Sequence, residues 1–138
     1  MKEYDVVALY ANSQIQLEER LFDLGEFDYN NHNITIQLCK DKPNYINKDK
    51  GVLYFDYDKI PLGAVLRVRQ EGDVFTKFGG GTKNLGDYMT DKKIPLLERE
   101  SLPIIAVNET VLIVCGVEIS DLVKIEASTK KIAKITLK

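Results

Sequence analysis

Residues 67–99 read RVRQEGDVFTKFGGGTKNLGDYMTDKKIPLLER, seven cationic side chains set around a triple glycine. Side chains of this type hold anions. Arg67 and Arg69 stand two apart on a strand-like run, so they share a face, where two guanidiniums repel unless an acceptor lies between them. Two acceptors are open: a phosphate, bound bidentately, or an internal carboxylate such as Glu71 or Asp73. Gly79-Gly80-Gly81-Thr82-Lys83 lets the backbone approach an anion closely, but it also suits a plain flexible tip. The GxxxxGK[ST] spacing is absent, which removes support for nucleoside triphosphate binding. The candidate phosphate ligands are therefore Arg67, Arg69, Lys77, Lys83, Lys92, Lys93 and Arg99. Gly72, Asp73, Gly79, Gly80, Gly81 and Thr82 form the candidate turn or anion loop. No second acid or histidine stands at a catalytic spacing from Asp73, so no catalytic residue is assigned.

The elements that would carry these residues are mostly strands. Period-2 alternation marks residues 4–10, 34–39, 52–55, 64–69, 104–107 and 111–114, with 21–27 as a hairpin partner for 34–39. Residues 123–127 and 132–137 read as a final hairpin across Ser128-Thr129-Lys130-Lys131. Asp28 to Asn33 reads as a turn, with His32 solvated in it. About nine short strands at close spacing predict a sandwich or barrel-like arrangement. Helical signal is confined to the middle. Thr82 is the expected N-cap of a helix whose apolar face is Leu85, Tyr88 and Met89. Pro95 is expected to open a second helix over 96–101, ending before Pro103. Ile94, Leu96 and Leu97 are expected to pack inward. Residues 40–50 are polar and irregular, a candidate loop.

Composition bounds the function. The chain has 138 residues, 44% hydrophobic and 29% charged, and suits one soluble domain. No apolar run approaches the ~20 residues that span a bilayer, and no signal-peptide core follows Met1, so a cytoplasmic setting without membrane partners is expected. Cys39 and Cys115 are far apart in apolar runs and read as two buried thiols, with no metal site or disulfide. The net charge of −2 argues against a nucleic-acid partner, but its distribution does not. Residues 67–99 and 124–138 are net positive while the rest is net negative, and a local basic face binds phosphate on an acidic protein. For the tail, Lys124, Lys130, Lys131 and Lys134 read as the wet side of a hairpin.

The order of these motifs resembles the C-terminal domain of bacterial tRNA(Ile)-lysidine synthetase. The residues that carry the likeness are Arg67, Arg69, Gly72, Asp73, Gly81, Lys83, Leu85, Asp87, Lys93, Ile94, Pro95, Arg99, Pro103 and Gly116, with LYFDYDKIPLG upstream and KEYD near the start. Asn84 stands where the family often has a second lysine, and Ile113-Val114-Cys115-Gly116 replaces Trp-x-x-Gly. The resemblance implies one domain over 1–138. Residues 1–60 would form lead-in strands and a hairpin, and 61–138 carry the densest match. It implies a mainly β fold with a short central helical segment, layered β/β/α like a domain of the phenylalanyl-tRNA synthetase β subunit. The family's enzyme uses ATP and Mg2+ to attach lysine to the wobble cytidine of the CAU-anticodon tRNA(Ile), changing codon reading from AUG to AUA. Its catalytic PP-loop domain carries Ser-Gly-Gly-x-Asp-Ser, absent from these 138 residues. The chain is thus expected to be a tail piece, with Met1 at the cut, needing no cofactor itself. It would hold the tRNA near its acceptor stem and adjoin the N-terminal catalytic domain. Docking or dimerisation without RNA contact is the alternative.

Overall fold

The computed structural model describes residues 18–40 and 51–138. The strand expected at residues 4–10, the KEYD segment and nearly all of the 40–50 loop lie outside the described residues. Three layers form the rest. One outer sheet contains β2 (Gly25–Tyr29), β3 (His32–Leu38), β4 (Val52–Asp56) and β11 (Ile132–Leu137), in the antiparallel order β2-β3-β11-β4. The middle sheet contains β1 (Arg20–Leu21), β5 (Val65–Arg67), β6 (Val74–Thr76), β7 (Thr82–Asn84), β8 (Ile104–Val107) and β9 (Thr110–Val114), in the order β1-β5-β8-β9-β6-β7. A short β10 (Glu118–Ile119) also pairs with β9. Among the described strands only β6 and β9 run parallel. Two helices, α1 (Leu85–Asp91) and α2 (Leu96–Ser101), form the third layer. The protein is mainly β with short helices, stacked β/β/α.

The sequence dictates which sheet lies in the middle. IIAV and TVLIV have no polar face, as strands covered on both sides require. Ile105 faces the first core with Leu66, Ile113, Phe55, Ile34, Ile36, Ala133 and Ile135, while Ile104 and Ala106 face the second. The second core sets Phe75, Val111 and Val114 against Leu85, Tyr88 and Met89. The three- and four-residue spacing on α1 thus buries the expected face. A bulge between Ile105 and Ala106 sets Ile105 opposite Ile113 but Ala106 opposite Val111. The extra residue, Leu112, consequently joins Ile113 in the first core. In the outer sheet Ile34/Ile36 and Ala133/Ile135 keep a clean period of two.

Several expectations change. The stretch 21–27 is split: Arg20–Leu21 pairs with β5, and the hairpin partner of β3 begins at Gly25. Its turn is only Asn30-Asn31, both at positive φ, which asparagine tolerates better than most residues. His32 is therefore the first residue of β3, opposite Tyr29, half-buried with its Nδ1 lacking a hydrogen-bond partner. Residues 123–127 are not a strand. Asp121–Val123 is a 3-10 turn capped by the Ser120 hydroxyl, and the chain beyond it is irregular, held where Lys59 Nζ donates to the Lys124 carbonyl at 2.9 Å. β6, β7 and β10 were not anticipated, each being only two or three residues long. Leu96 and Leu97 point outward, because six-residue α2 buries none of its own residues and only its neighbours Ile94 and Leu102 reach the core. Cys115 is buried, as expected, but Cys39 is only half-buried.

One buried ion pair joins the layers. Arg67 is 2% exposed and donates to Asp73 at 2.8 and 2.9 Å, to the Val68 carbonyl at 3.0 Å and to the Asn108 carbonyl at 2.8 Å. Asp73→Ala would strand that guanidinium and should cost about 3–5 kcal/mol, read as a lowered urea midpoint. Burial pushes the Cys115 thiol up to about 12, so it stays protonated and unreactive. At pH 8, disulfide-exchange labelling should modify Cys39 alone in the folded protein and both cysteines in urea.

Candidate nucleic-acid interface

The triple glycine does not lead into a helix. Gly79, Gly80 and Gly81 all take positive φ and close a hairpin in which Lys77 N–H donates to the Gly81 carbonyl at 3.1 Å. Thr82 opens the returning strand, its hydroxyl 2.7 Å from that of Thr76 across β6–β7. The helix begins three residues later. Asn84 is the N-cap, accepting from the Gly86 N–H at 2.8 Å, and the Leu85 N–H donates to the Asp73 carbonyl. Lys83 accordingly sits on β7 rather than in the first helical turn. The amides of the glycine loop do meet anions, but the chain's own. Phe78 N–H donates to Glu118 Oε2 at 2.8 Å and Gly79 N–H to Asp121 Oδ1 at 3.1 Å.

For the two arginines the structure supplies carboxylate partners. Arg67 is consumed by Asp73 and presents nothing to solvent. Arg69 pairs with Glu100 at 3.0 Å and lines a shallow cleft of about 390 Å³ with Gln70, Glu71, Asn84 and Gly86. The other cations gather around the C-terminal end of α1. Lys83 reaches Asp91, and Lys77 and Lys92 act electrostatically on that same carboxylate. Lys92 also lies 3.5 Å from Glu118 and 5.7 Å from the Tyr88 ring centroid. Arg99 donates from Nε to the Ile94 carbonyl at 2.7 Å and from its guanidinium to the Thr90 hydroxyl at 3.0 Å. Cations suit this end of a helix, where unpaired carbonyls concentrate negative charge.

Lys93 has the least expected backbone. Ile94 N–H donates to the Met89 carbonyl and Lys93 N–H to that of Thr90, a Schellman closure. That closure puts Lys93 at the left-handed position, φ 59°, where glycine is the usual occupant. Among the described residues neither Lys93 nor Lys77 has an ion-pair partner. The cluster's hub, Glu118, was invisible in the sequence: it accepts from the Tyr88 hydroxyl at 2.6 Å and from Phe78 N–H, forty residues away. Burial, then the bond to Glu118, pushes the Tyr88 hydroxyl far up, so it donates at every accessible pH. No helix among the described residues is long and apolar enough to cross a membrane, and no group of three acidic, His or Cys side chains there could hold a metal.

The family described as TilS substrate C-terminal domain matches over residues 64–136. A tRNA(Ile)-lysidine synthase of Caldanaerobacter subterraneus subsp. tengcongensis is 37% identical over 90 residues, and one of Clostridium tetani is 34% identical over 123. Those alignments take in 64% and 87% of this chain but 19% and 26% of the two relatives, so the chain spans about a quarter or less of their length. A crystal structure of a TILS C-terminal domain shares the fold, with a TM-score of 0.73 at 21% identity over 88% of this chain and 95% of that one.

The Lys83 contact, first by hydrogen bonding and then by charge, holds the Asp91 carboxyl below the ordinary carboxylate range, and Asp91 raises the Lys83 ammonium. A depressed carboxyl stabilises the fold above its unfolded pKa of about 3.9 and loses that as pH falls through the folded value. A raised ammonium stabilises below about 10.4 and loses that as pH rises through its folded value. In Lys83→Met the Asp91 pKa, followed by NMR titration of its carboxyl carbon, should therefore rise toward the ordinary value.

Proposed function

The chain belongs to the TilS substrate C-terminal domain family, and from that premise we propose that it is the tRNA-binding module of a tRNA(Ile)-lysidine synthase. The parent enzyme would be the cytoplasmic ligase that uses ATP and Mg2+ to attach lysine to the wobble cytidine of the CAU-anticodon tRNA(Ile). This module would carry no catalytic residue. It would hold the tRNA body near its acceptor stem for the N-terminal catalytic half. An A-form stem offers phosphates and 2′-hydroxyls rather than readable major-groove edges, and the cations gathered at α1 support a reading in which phosphates are the target.

Lys93 carries the reading. A lysine held at positive φ costs of order 1–2 kcal/mol over a relaxed backbone, which glycine would largely avoid. The helix closure sets the conformation but does not require a lysine there, and a cation held at that cost with no ion-pair partner among the described residues supports a ligand. Lys77 likewise has no ion-pair partner among the described residues, while Lys83, Lys92 and Arg99 would turn from internal partners to RNA. Arg69 would contribute least, since Glu100 and Glu71 share its cleft. Arg67 is too deeply buried to take part. A second reading, docking onto the catalytic half or a second copy, draws on Leu96 and Leu97, which are 70% and 87% exposed on α2.

A titration of the chain with CAU-anticodon tRNA at rising salt tests the proposal. Binding should weaken linearly in log–log form, with a slope of about −0.7 to −0.9 per phosphate contacted. Lys93→Gly should reduce that slope by about one contact and raise the urea midpoint, worth about 0.5–1 kcal/mol of stability. No binding at low salt, or an unchanged slope in Lys93→Gly and Lys77→Ala, would favour the docking reading.

A further inference from the structure

The tip of the β6–β7 hairpin holds an aromatic ring that neither core uses. Phe78 is 59% exposed, at a turn where polar residues are the norm. Its exposure is not the slack of a loose loop. The backbone at the tip is pinned by the Glu118 and Asp121 carboxylates on the Phe78 and Gly79 amides. The Ser120 hydroxyl donates to the Thr76 carbonyl at 2.8 Å, and Lys77 bridges to Ser120 at the backbone. A fixed backbone therefore presents an apolar ring to water.

The surroundings fit one kind of ligand. A Cβ added at Gly79 or Gly80 would meet nothing within 4 Å, so the chain beside Phe78 leaves open space. Lys77 precedes Phe78 in the same tip, its stem against Gly81 (Cε 3.4 Å from where a Cβ would stand), its ammonium without an ion-pair partner among the described residues. An exposed ring on a hairpin tip that also carries an ammonium without an ion-pair partner among the described residues matches a nucleotide, whose base has an apolar face and whose phosphate is an anion. Paired bases are closed to such a ring by their neighbours in the stack, whereas unpaired bases are not.

We propose that Phe78 is a stacking platform for an unpaired base of single-stranded RNA, with Lys77 on the adjoining phosphate. The inference rests on the tRNA-binding reading and extends it from the duplex to a single-stranded segment. Two probes separate the claims: a blunt RNA hairpin, and the same hairpin with a short single-stranded 3′ extension. The extension should tighten binding to the unaltered chain by about tenfold, as one stacked base does. Phe78→Tyr should keep that advantage and Phe78→Ala should abolish it, with all three proteins binding the blunt hairpin alike and melting alike. If Phe78→Ala keeps the advantage, weakens both probes equally, or if the unaltered chain shows no advantage, the platform is wrong and the ring is left for a protein contact. Failure to bind even the blunt hairpin at low salt would instead overturn the tRNA-binding reading and the platform with it.

Discussion

The Arg67–Asp73 ion pair is the constraint on which the rest of the structure depends. Asp73 accepts both guanidinium bonds and the Gln70 N–H through its side chain, and its carbonyl receives the Leu85 N–H that starts α1. Arg67 reaches on to the Asn108 carbonyl in the β8–β9 link. One residue pair thus fixes the end of β5, the 70–73 turn, the β8–β9 hairpin and the origin of the helical layer. A buried ion pair is seldom a large net source of stability, because desolvation offsets most of its attraction. Its effect lies in geometry: with both charges buried, only an arrangement that satisfies all these acceptors is tolerable. The orientation of α1, and of every cation at its C-terminal end, follows from that arrangement.

How far the sequence could be read depends on the range of the interactions involved. Residues 104–107 and 111–114 register only as strands, and their burial on both faces is decided by the helices packed on the second side. Leu85, Tyr88 and Met89, in contrast, announce the buried face of α1 because that pattern is local. Pro95 marked the start of α2 for the same reason. Thr82 failed as a cap because three glycines at positive φ turned the chain back into a strand before any helix could start. Asn84 caps the helix instead, where the Leu85 N–H meets the Asp73 carbonyl, a partner no local pattern reveals. Leu96 and Leu97 failed because a short helix hung between two core contacts need not bury its own apolar side chains. Glu118 joins residues thirty and forty positions away, so nothing around it in the sequence marks it out.

The glycine loop shows the same limit in the site itself. Its amides are oriented toward an anion, as glycine-rich backbone allows, but Glu118 and Asp121 already fill that role. Three of the four carboxylates of the net-acidic segment 100–123, Glu100, Glu118 and Asp121, are thus paired in place. Glu118 faces Lys92 and Tyr88, and Asp121 faces Lys124 at 3.3 Å. A segment that looks hostile to RNA by its charge count is largely neutralised where it meets the basic face.

That neutralisation also ranks the cations. A phosphate approaching Lys83 or Arg69 must compete with Asp91 or Glu100, and any gain is reduced by the carboxylate it leaves behind. For exposed pairs the exchange is close to even, since such bridges are weak in water and screened by salt. Among the described residues Lys77 and Lys93 have no ion-pair partner, so counterion release there on binding a phosphate would not be offset by a broken pair. One stands on the hairpin tip and the other just past α1. In the proposed reading these two lysines are the points of net attraction that an otherwise largely paired surface would offer a phosphate backbone.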